Sequence, residues 1–228
     1  MVSKALFCSM QDHSLLGHCC TEDMVKKFAD EVIKYNLKSL VIHGDNVKLA
    51  VDLLEGRAPV GAVCGFPQGA NTTITKIREA EDAVRNGAAE VDTVVNFSRM
   101  REKKYDYVKD EISGLVKAVK DINPDVVTKF IIYMPYDQNN PLRLTQDEIS
   151  RIGDFIIEGG GDFIKYHVEH DFIVDRFATE VKEGSVQLKW SGAPDMAAMV
   201  KAIEQGVTRF GHELVPQWLE AEPNYFEV

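Results

Sequence analysis

The sequence predicts a (β/α)8 TIM barrel of the α/β class, built as one domain over residues 1–228 with a short C-terminal tail. Strand-like and helix-like segments alternate from end to end. Most strand segments are nearly continuous apolar and β-branched runs, as expected for a parallel sheet covered on both faces. Eight such units fit the 228 residues, which is the arithmetic of a closed barrel. The alternative, an open doubly wound sheet, lacks its fingerprint. No Gly-x-Gly-x-x-Gly follows the first strand, and GGGDF precedes a strand rather than opening a helix.

The elements follow in order. KALFCSM reads as the first strand, before a helical pattern from Glu22 to Tyr35. SLVIHG leads into Asn46 to Glu55, APVGAVCG into Thr75 to Asn86, and EVDTVVN into Tyr105 to Lys120. VVTKFIIYMP precedes the helix from Gln146 to Ile157. GDFIKYH precedes Asp171 to Val181, VQLKWSG precedes Asp195 to Glu204, and VTRFGHEL closes the series. Thr145 stands three residues before Glu148, a capping-box pattern, and Pro194 suits a first helical position. Around Tyr136 to Asn140, MPYDQNNP reads as an extended loop.

Composition narrows the function classes. A chain that is 45% hydrophobic can bury one sizeable core. The formal net charge of -10 argues against general nucleic-acid binding and against docking on anionic lipid, but it leaves small anionic substrates open. No signal-peptide plan appears at the N-terminus, and no apolar run approaches bilayer length, so the expectation is a soluble, cytoplasmic protein. Cys8, Cys19, Cys20 and Cys64 form no CxxC spacing, and they are expected to be reduced thiols.

Barrel active sites sit at the carboxyl ends of the strands. The polar residues there are Asp12, His43, Asp45, Asp92, Asn96, Lys129, Lys165, His167, Lys189 and His212. Strand alternation groups Asp92 with Val94 and Asn96, Lys165 with Phe163 and His167, and Lys189 with Gln187 and Ser191. If these faces point inward, Asp92, Lys165 and Lys189 share the barrel mouth. A lysine nucleophile must be neutral, and from a free pKa of about 10.4 that costs roughly 4 kcal/mol at pH 7. A second cation about 5–6 Å away supplies roughly 3 kcal/mol of repulsion, and desolvation adds to it. One amine is then free to attack a carbonyl, with a carboxylate to move protons. Two structural Lys–Asp ion pairs explain the same residues equally well.

The run GFPQGANTTITKIREAEDAVRNGAAEVDTVVN closely resembles the matching stretch of the 2-deoxyribose-5-phosphate aldolase family. QDHSLL, TKFII, GDFIK and LKWSG resemble further family segments in the same order, so the likeness covers nearly the whole chain. The resemblance implies a class I aldolase that needs no metal and no cofactor and acts on a small carbonyl substrate, with a homodimer as the assembly. It implies that Lys165 forms the Schiff base, that Lys189 lowers its pKa, that Asp92 handles protons and that Asp12 shapes the site. Remaining alternatives are ordinary deoxyribose-phosphate cleavage with a remodelled phosphate site, a lysine-imine dehydratase or isomerase, and a non-catalytic metabolite-binding barrel.

The sequence departs from the family where the substrate phosphate is bound. K-T-S-T-G becomes Lys165-Tyr166-His167-Val168-Glu169, S-G-G-I-R becomes Ser191-Gly192-Ala193-Pro194-Asp195, and G-A-S becomes Gly211-His212-Glu213. Bulk replaces glycine, Pro194 brings no N–H, and three carboxylates enter a cradle that needs donors. The expectation is a substrate without the usual 5-phosphate. Its binding groups are expected to be His43, Asn96, Lys129, His167, Glu169, Ser191, Gly192, Gly211, His212 and Glu213. His167, Glu169, His170, His212 and Glu213 also compose a weaker metal-ligand pattern. Tyr133 replaces a family glutamate, and Tyr225 lies where many such aldolases present a tail tyrosine to the site.

Overall fold

The computed structural model describes residues 2–132, 144–167 and 169–226. Tyr133, Val168 and the MPYDQNNP segment lie outside the described residues. The chain runs α1 (Lys4–Ser9), β1 (Gln11–Leu15), α2 (Glu22–Tyr35), β2 (Ser39–Ile42), a 3-10 turn (Gly44–Asn46), α3 (Val47–Leu54), β3 (Val60–Cys64), α4 (Thr73–Arg85), β4 (Glu90–Val94), α5 (Phe97–Arg101) and α6 (Tyr105–Ile122). It continues through β5 (Val127–Ile131), α7 (Gln146–Glu158), β6 (Phe163–Tyr166), α8 (His170–Arg176), α9 (Ala178–Lys182), β7 (Gln187–Ser191), α10 (Met196–Glu204), β8 (Arg209–His212) and α11 (Val215–Ala221). Among the described residues, the eight strands pair in parallel, each with the next, and β8 pairs with β1 to close the (β/α)8 barrel.

Strand alternation sorts the side chains into two environments. Outward-facing Leu40, Val91, Phe130, Ile164, Leu188 and Phe210 join one apolar layer with the surrounding helices. That burial supplies the main driving force for the fold. The inward positions between them hold Asp12, Glu90, Asp92, Lys129, Lys165, Lys189 and Arg209, all buried. The inside of the barrel is therefore a charged core wrapped in an apolar one.

Several elements differ from the sequence reading. KALFCSM is mostly helix, not strand. Ser3 Oγ accepts from the Leu6 N–H at 3.2 Å, and Phe7 and Cys8 turn into the core. An apolar run this short has no periodicity to separate helix from strand. The first strand is QDHSL, so Asp12 lies within it rather than after it. Pro194 precedes its helix, because Asp195 is the N-cap and accepts from the Ala198 N–H at 2.8 Å. The single helix expected from Asp171 to Val181 is broken at Phe177, whose ring packs where a Cβ on Gly153 would sit 2.0 Å away. Part of the expected tail is α11, with Pro216 in its first turn. The capping box at Thr145 is present: its hydroxyl accepts from the Glu148 N–H, and Glu148 accepts from the Thr145 N–H at 2.7 Å. All four cysteines are free thiols. No helix among the described residues is long and apolar enough to cross a membrane.

Candidate active site

Register brings the key side chains together. Lys165 pairs with Lys189 across β6 and β7, and Asp92 pairs with Lys129 across β4 and β5. Asp92 Oδ2 accepts from both Lys165 Nζ and Lys189 Nζ at 2.8 Å, and Asp92 Oδ1 accepts from Lys129 Nζ at 2.8 Å. One carboxylate therefore bridges three lysines. Asp12 accepts from Lys189, from Arg209 Nη1 at 2.7 Å and from Ser39 Oγ at 2.7 Å. Glu90 accepts from Lys129 and Arg209.

Among the described residues, this network holds four cations and three carboxylates. A buried surplus charge is unfavourable, so the interior gains if one cation becomes neutral. Burial lowers the Lys165 pKa, Asp92 pulls it back, and Lys189 and Lys129 push it down again, to about 8. Lys129 goes the other way: burial lowers it, but Asp12, Asp92 and Glu90 outweigh that and raise it above the ordinary lysine range. Burial pushes the Asp92 carboxyl up, yet Lys129, Lys165 and Lys189 hold it well below the usual carboxylate range.

A cleft of about 350 Å³ opens above the network. Lys165 lines it, whereas Lys129 and Lys189 are sealed beneath. His167, Ser191, Gly192, Gly211, His212 and Glu213 form much of the wall, as the sequence reading expected. Gly211 leaves room that a side chain would take, since a Cβ there would lie 2.9 Å from Ser191 Oγ and 3.2 Å from Lys189 Cε. The Leu214 N–H donates to His212 Nδ1 at 3.0 Å. Burial, then His167 and His13, lower the His212 pKa to about 4, so neutral His212 carries its proton on Nε2. Burial and Lys165 lower His167 as well. Among the described residues, His167 Nδ1 and Ser191 Oγ have no hydrogen-bond partner.

Other expected binding residues sit elsewhere. Asn96 caps α5, its side chain accepting from the Arg99 N–H at 3.2 Å. Glu169 adopts a left-handed conformation at φ 60° and borders a separate hollow with Trp190 and Lys201. His43 is not among the residues lining the cleft, and its ring lies 5.9 Å from that of Phe66, which is. His170 bonds Tyr166 and Gln205. Among the described residues, no group of three or more His, Cys, Asp and Glu is placed to hold a metal ion. Tyr225 packs against Phe226, which contacts Phe7 of α1, and it is not among the residues lining the cleft. Sequence reasoning missed Ser14, Leu16, Gly17 and Phe66 in the wall, and Ser39, Glu90 and Arg209 in the network. Ser14 carried a signal, lying two residues from Asp12 on the same strand face.

No family model matches the chain. Curated relatives do. A deoxyribose-phosphate aldolase from Carboxydothermus hydrogenoformans is 34% identical over 221 residues, 92% of each chain. One from Staphylococcus carnosus is 33% identical over 94% of this chain and 97% of its own. The chain belongs to the deoxyribose-phosphate aldolase family. That makes it an aldehyde-lyase with a class I aldolase framework. Among solved structures, an aldolase designated QR15 superposes with a TM-score of 0.82 at 27% identity, covering 96% of both chains. A tetrameric deoxyribose phosphate aldolase from Aeropyrum pernix shares the fold, with a TM-score of 0.82 at 24% identity over 98% of this chain and 93% of its own.

Within this family framework, Gly192 has a specific task. Its φ is +74°, and a Cβ there would lie 2.3 Å from His167 Nε2. Gly192→Ala is therefore expected to lose about 1–3 kcal/mol from backbone strain and displaced imidazole. Urea unfolding measures this, and an unchanged midpoint would mean that both the backbone at position 192 and His167 adjust without cost.

Proposed function

We propose that the chain catalyses reversible aldol cleavage of a small, sugar-like carbonyl compound through an imine at Lys165, on a substrate lacking the usual 5-phosphate. The observation that carries the imine is that Lys165, of the three lysines on Asp92, opens to the cleft and has its pKa lowered to about 8. The neutral amine adds to the substrate carbonyl, and the carbinolamine loses water to give the iminium. Cleavage of the C–C bond then releases an aldehyde and leaves an enamine on Lys165. Protonation of the enamine carbon and hydrolysis free the second carbonyl product. Asp92 Oδ2, bonded to both lysine nitrogens, is the atom through which protons pass between them. Its low pKa makes it a relay rather than a resting base. Lys189 keeps a positive charge beside the amine, and Asp12 fixes Lys189.

The altered phosphate end rests on how its donors are used. The Leu214 N–H is spent on His212, the Ala198 N–H on Asp195, and the Gly192 N–H on the Gly211 carbonyl at 3.3 Å. The His167 ring covers Gly192, and Glu213 puts a carboxylate in the wall. A dianionic phosphate there meets few free donors and a like charge. His167, Ser191 and the His212 Nε2–H instead suit hydroxyl groups. The name of the curated relatives favours a second reading, deoxyribose-phosphate cleavage itself.

Steady-state assays with 2-deoxyribose and its 5-phosphate separate the two readings. The unphosphorylated sugar is expected to have a kcat/KM at least about tenfold higher, the scale of one unfavourable charge contact. Equal turnover, or preference for the phosphate, would sink the altered specificity while leaving the aldolase chemistry intact. Borohydride with either carbonyl compound is expected to fix mass on Lys165.

A further inference from the structure

Glu90 and Arg209 lie beneath the site, and neither lines the cleft. Their charged groups engage the other buried charges. Arg209 Nη1 donates to Asp12 Oδ1 at 2.7 Å and to the two Glu90 oxygens at 3.0 and 3.1 Å. Its guanidinium lies over the Phe163 ring at 5.4 Å, which walls this layer from below Lys165 on the same strand. Glu90 also accepts from Lys129, which donates to Asp92, which accepts from Lys165. Two short chains of contacts thus run from the lower layer to the reacting amine, one through Lys129 and one through Asp12 and Lys189. The groups along both are buried, the most exposed being Arg209 at 7%, so screening is weak and a charge at the bottom is felt at the top.

We infer that Glu90 and Arg209 are positioning residues that set the protonation of Lys165 from below, by fixing the net charge of the barrel interior. Among the described residues, the charged and titratable groups around Lys165 are Asp12 from β1, Glu90 and Asp92 from β4, and Lys129 from β5. His167 follows it on its own chain segment, and Lys189 comes from β7 with Arg209 and His212 from β8. Both histidines are neutral near pH 7, so the balance lies among the other groups. With Lys165 protonated the interior carries one surplus positive charge. Glu90→Gln raises the surplus to two and favours the neutral amine. Arg209→Met removes the surplus and favours the ammonium. The two substitutions together restore the original count.

The inference rests on Lys165 being the reacting amine, but its test needs no substrate. The pH dependence of acetic anhydride labelling at Lys165, read by mass spectrometry on the full chain, reports the amine directly. The labelling midpoint is expected to move down by roughly one pH unit in Glu90→Gln and up by a similar amount in Arg209→Met, the scale of one buried charge at this depth. The double variant should return to within about 0.3 unit of the wild type, because its net charge is unchanged. Arg209→Lys, which keeps the charge, should leave the midpoint in place. Shifts in the same direction, no shift, or an Arg209→Lys shift as large as that of Arg209→Met would each overturn the proposal in favour of simple packing. If a single variant fails to fold, the double variant decides: recovery of fold and midpoint supports charge balance, and failure to recover refutes it. Absence of a borohydride adduct in the wild type refutes the imine reading alone, since labelling does not depend on it.

Discussion

Lys165→Met is expected to abolish borohydride trapping and to lower aldol turnover by roughly 10⁴-fold or more, because no other amine lines the cleft among the described residues. Lys129 and Lys189 lie on the same carboxylate but are sealed beneath it, so neither substitutes. The same change should leave stability unaltered or raise it. Methionine keeps most of the aliphatic stem, and the remaining buried charges are three against three. A residual rate within about tenfold of the wild type, or a mass adduct elsewhere, would move the nucleophile to another residue. The wild type should also show a clear acid limb. The amine is the reacting form, so with a pKa of about 8 the rate of imine formation falls about tenfold per unit as pH drops below 8. The sign follows from burial acting on a cation: desolvation favours the neutral form and carries the pKa downward.

Asp92→Asn should give the second largest effect, and it should do so on stability as well as rate. Three ammonium groups lose their shared carboxylate, and four buried cations then face two carboxylates. Breaking a buried ion pair on one side typically costs about 3–5 kcal/mol, and that is the loss expected in urea unfolding at pH 7. Turnover should fall by about 10²–10⁴-fold if the proposed relay runs through the carboxylate that accepts from both Lys165 and Lys189. The deficit has a predictable pH dependence. The Asp92 carboxyl titrates lower in the folded chain than its unfolded value of about 3.9, so its contribution is complete above that value and fades as pH falls through the folded pKa. The gap between wild type and variant should therefore hold constant from pH 7 down to about 5 and narrow only in stronger acid. A gap below about 1 kcal/mol at pH 7 would show that the lysines relax onto Asp12 and Glu90 without Asp92.

Much of the site was legible because a strand has a period of two. Asp92, Lys165 and Lys189 sit at mid-strand positions with apolar neighbours, and parallel register brings them together. Glu90 and Arg209 were harder to read. Each stands at the start of its strand, where a charged residue ordinarily faces water, and only closure of the barrel buries them. Residues in loops were the least legible. Glu169 follows Lys165 by four positions, yet with a left-handed backbone it borders the separate hollow that Trp190 also lines instead of the cleft. Asn96 shares a strand face with Asp92, but the strand ends at Val94 and the asparagine is used to start a helix. The short α1 escaped for a related reason: six residues give too few turns for a helical stripe to declare itself.

The charged interior has a consequence for how the chain assembles. Asp12, Glu90 and Asp92 come from the first four strands, while Lys129, Lys165, Lys189 and Arg209 come from the last four. One half-barrel carries all the acid of the network and the other all the base. Neither half can close on a copy of itself without facing like charges across a dry interior, whereas each is the electrostatic complement of the other. Lys165 thus lies at the seam where the two unlike halves meet, its ammonium held by Asp92 from the other half.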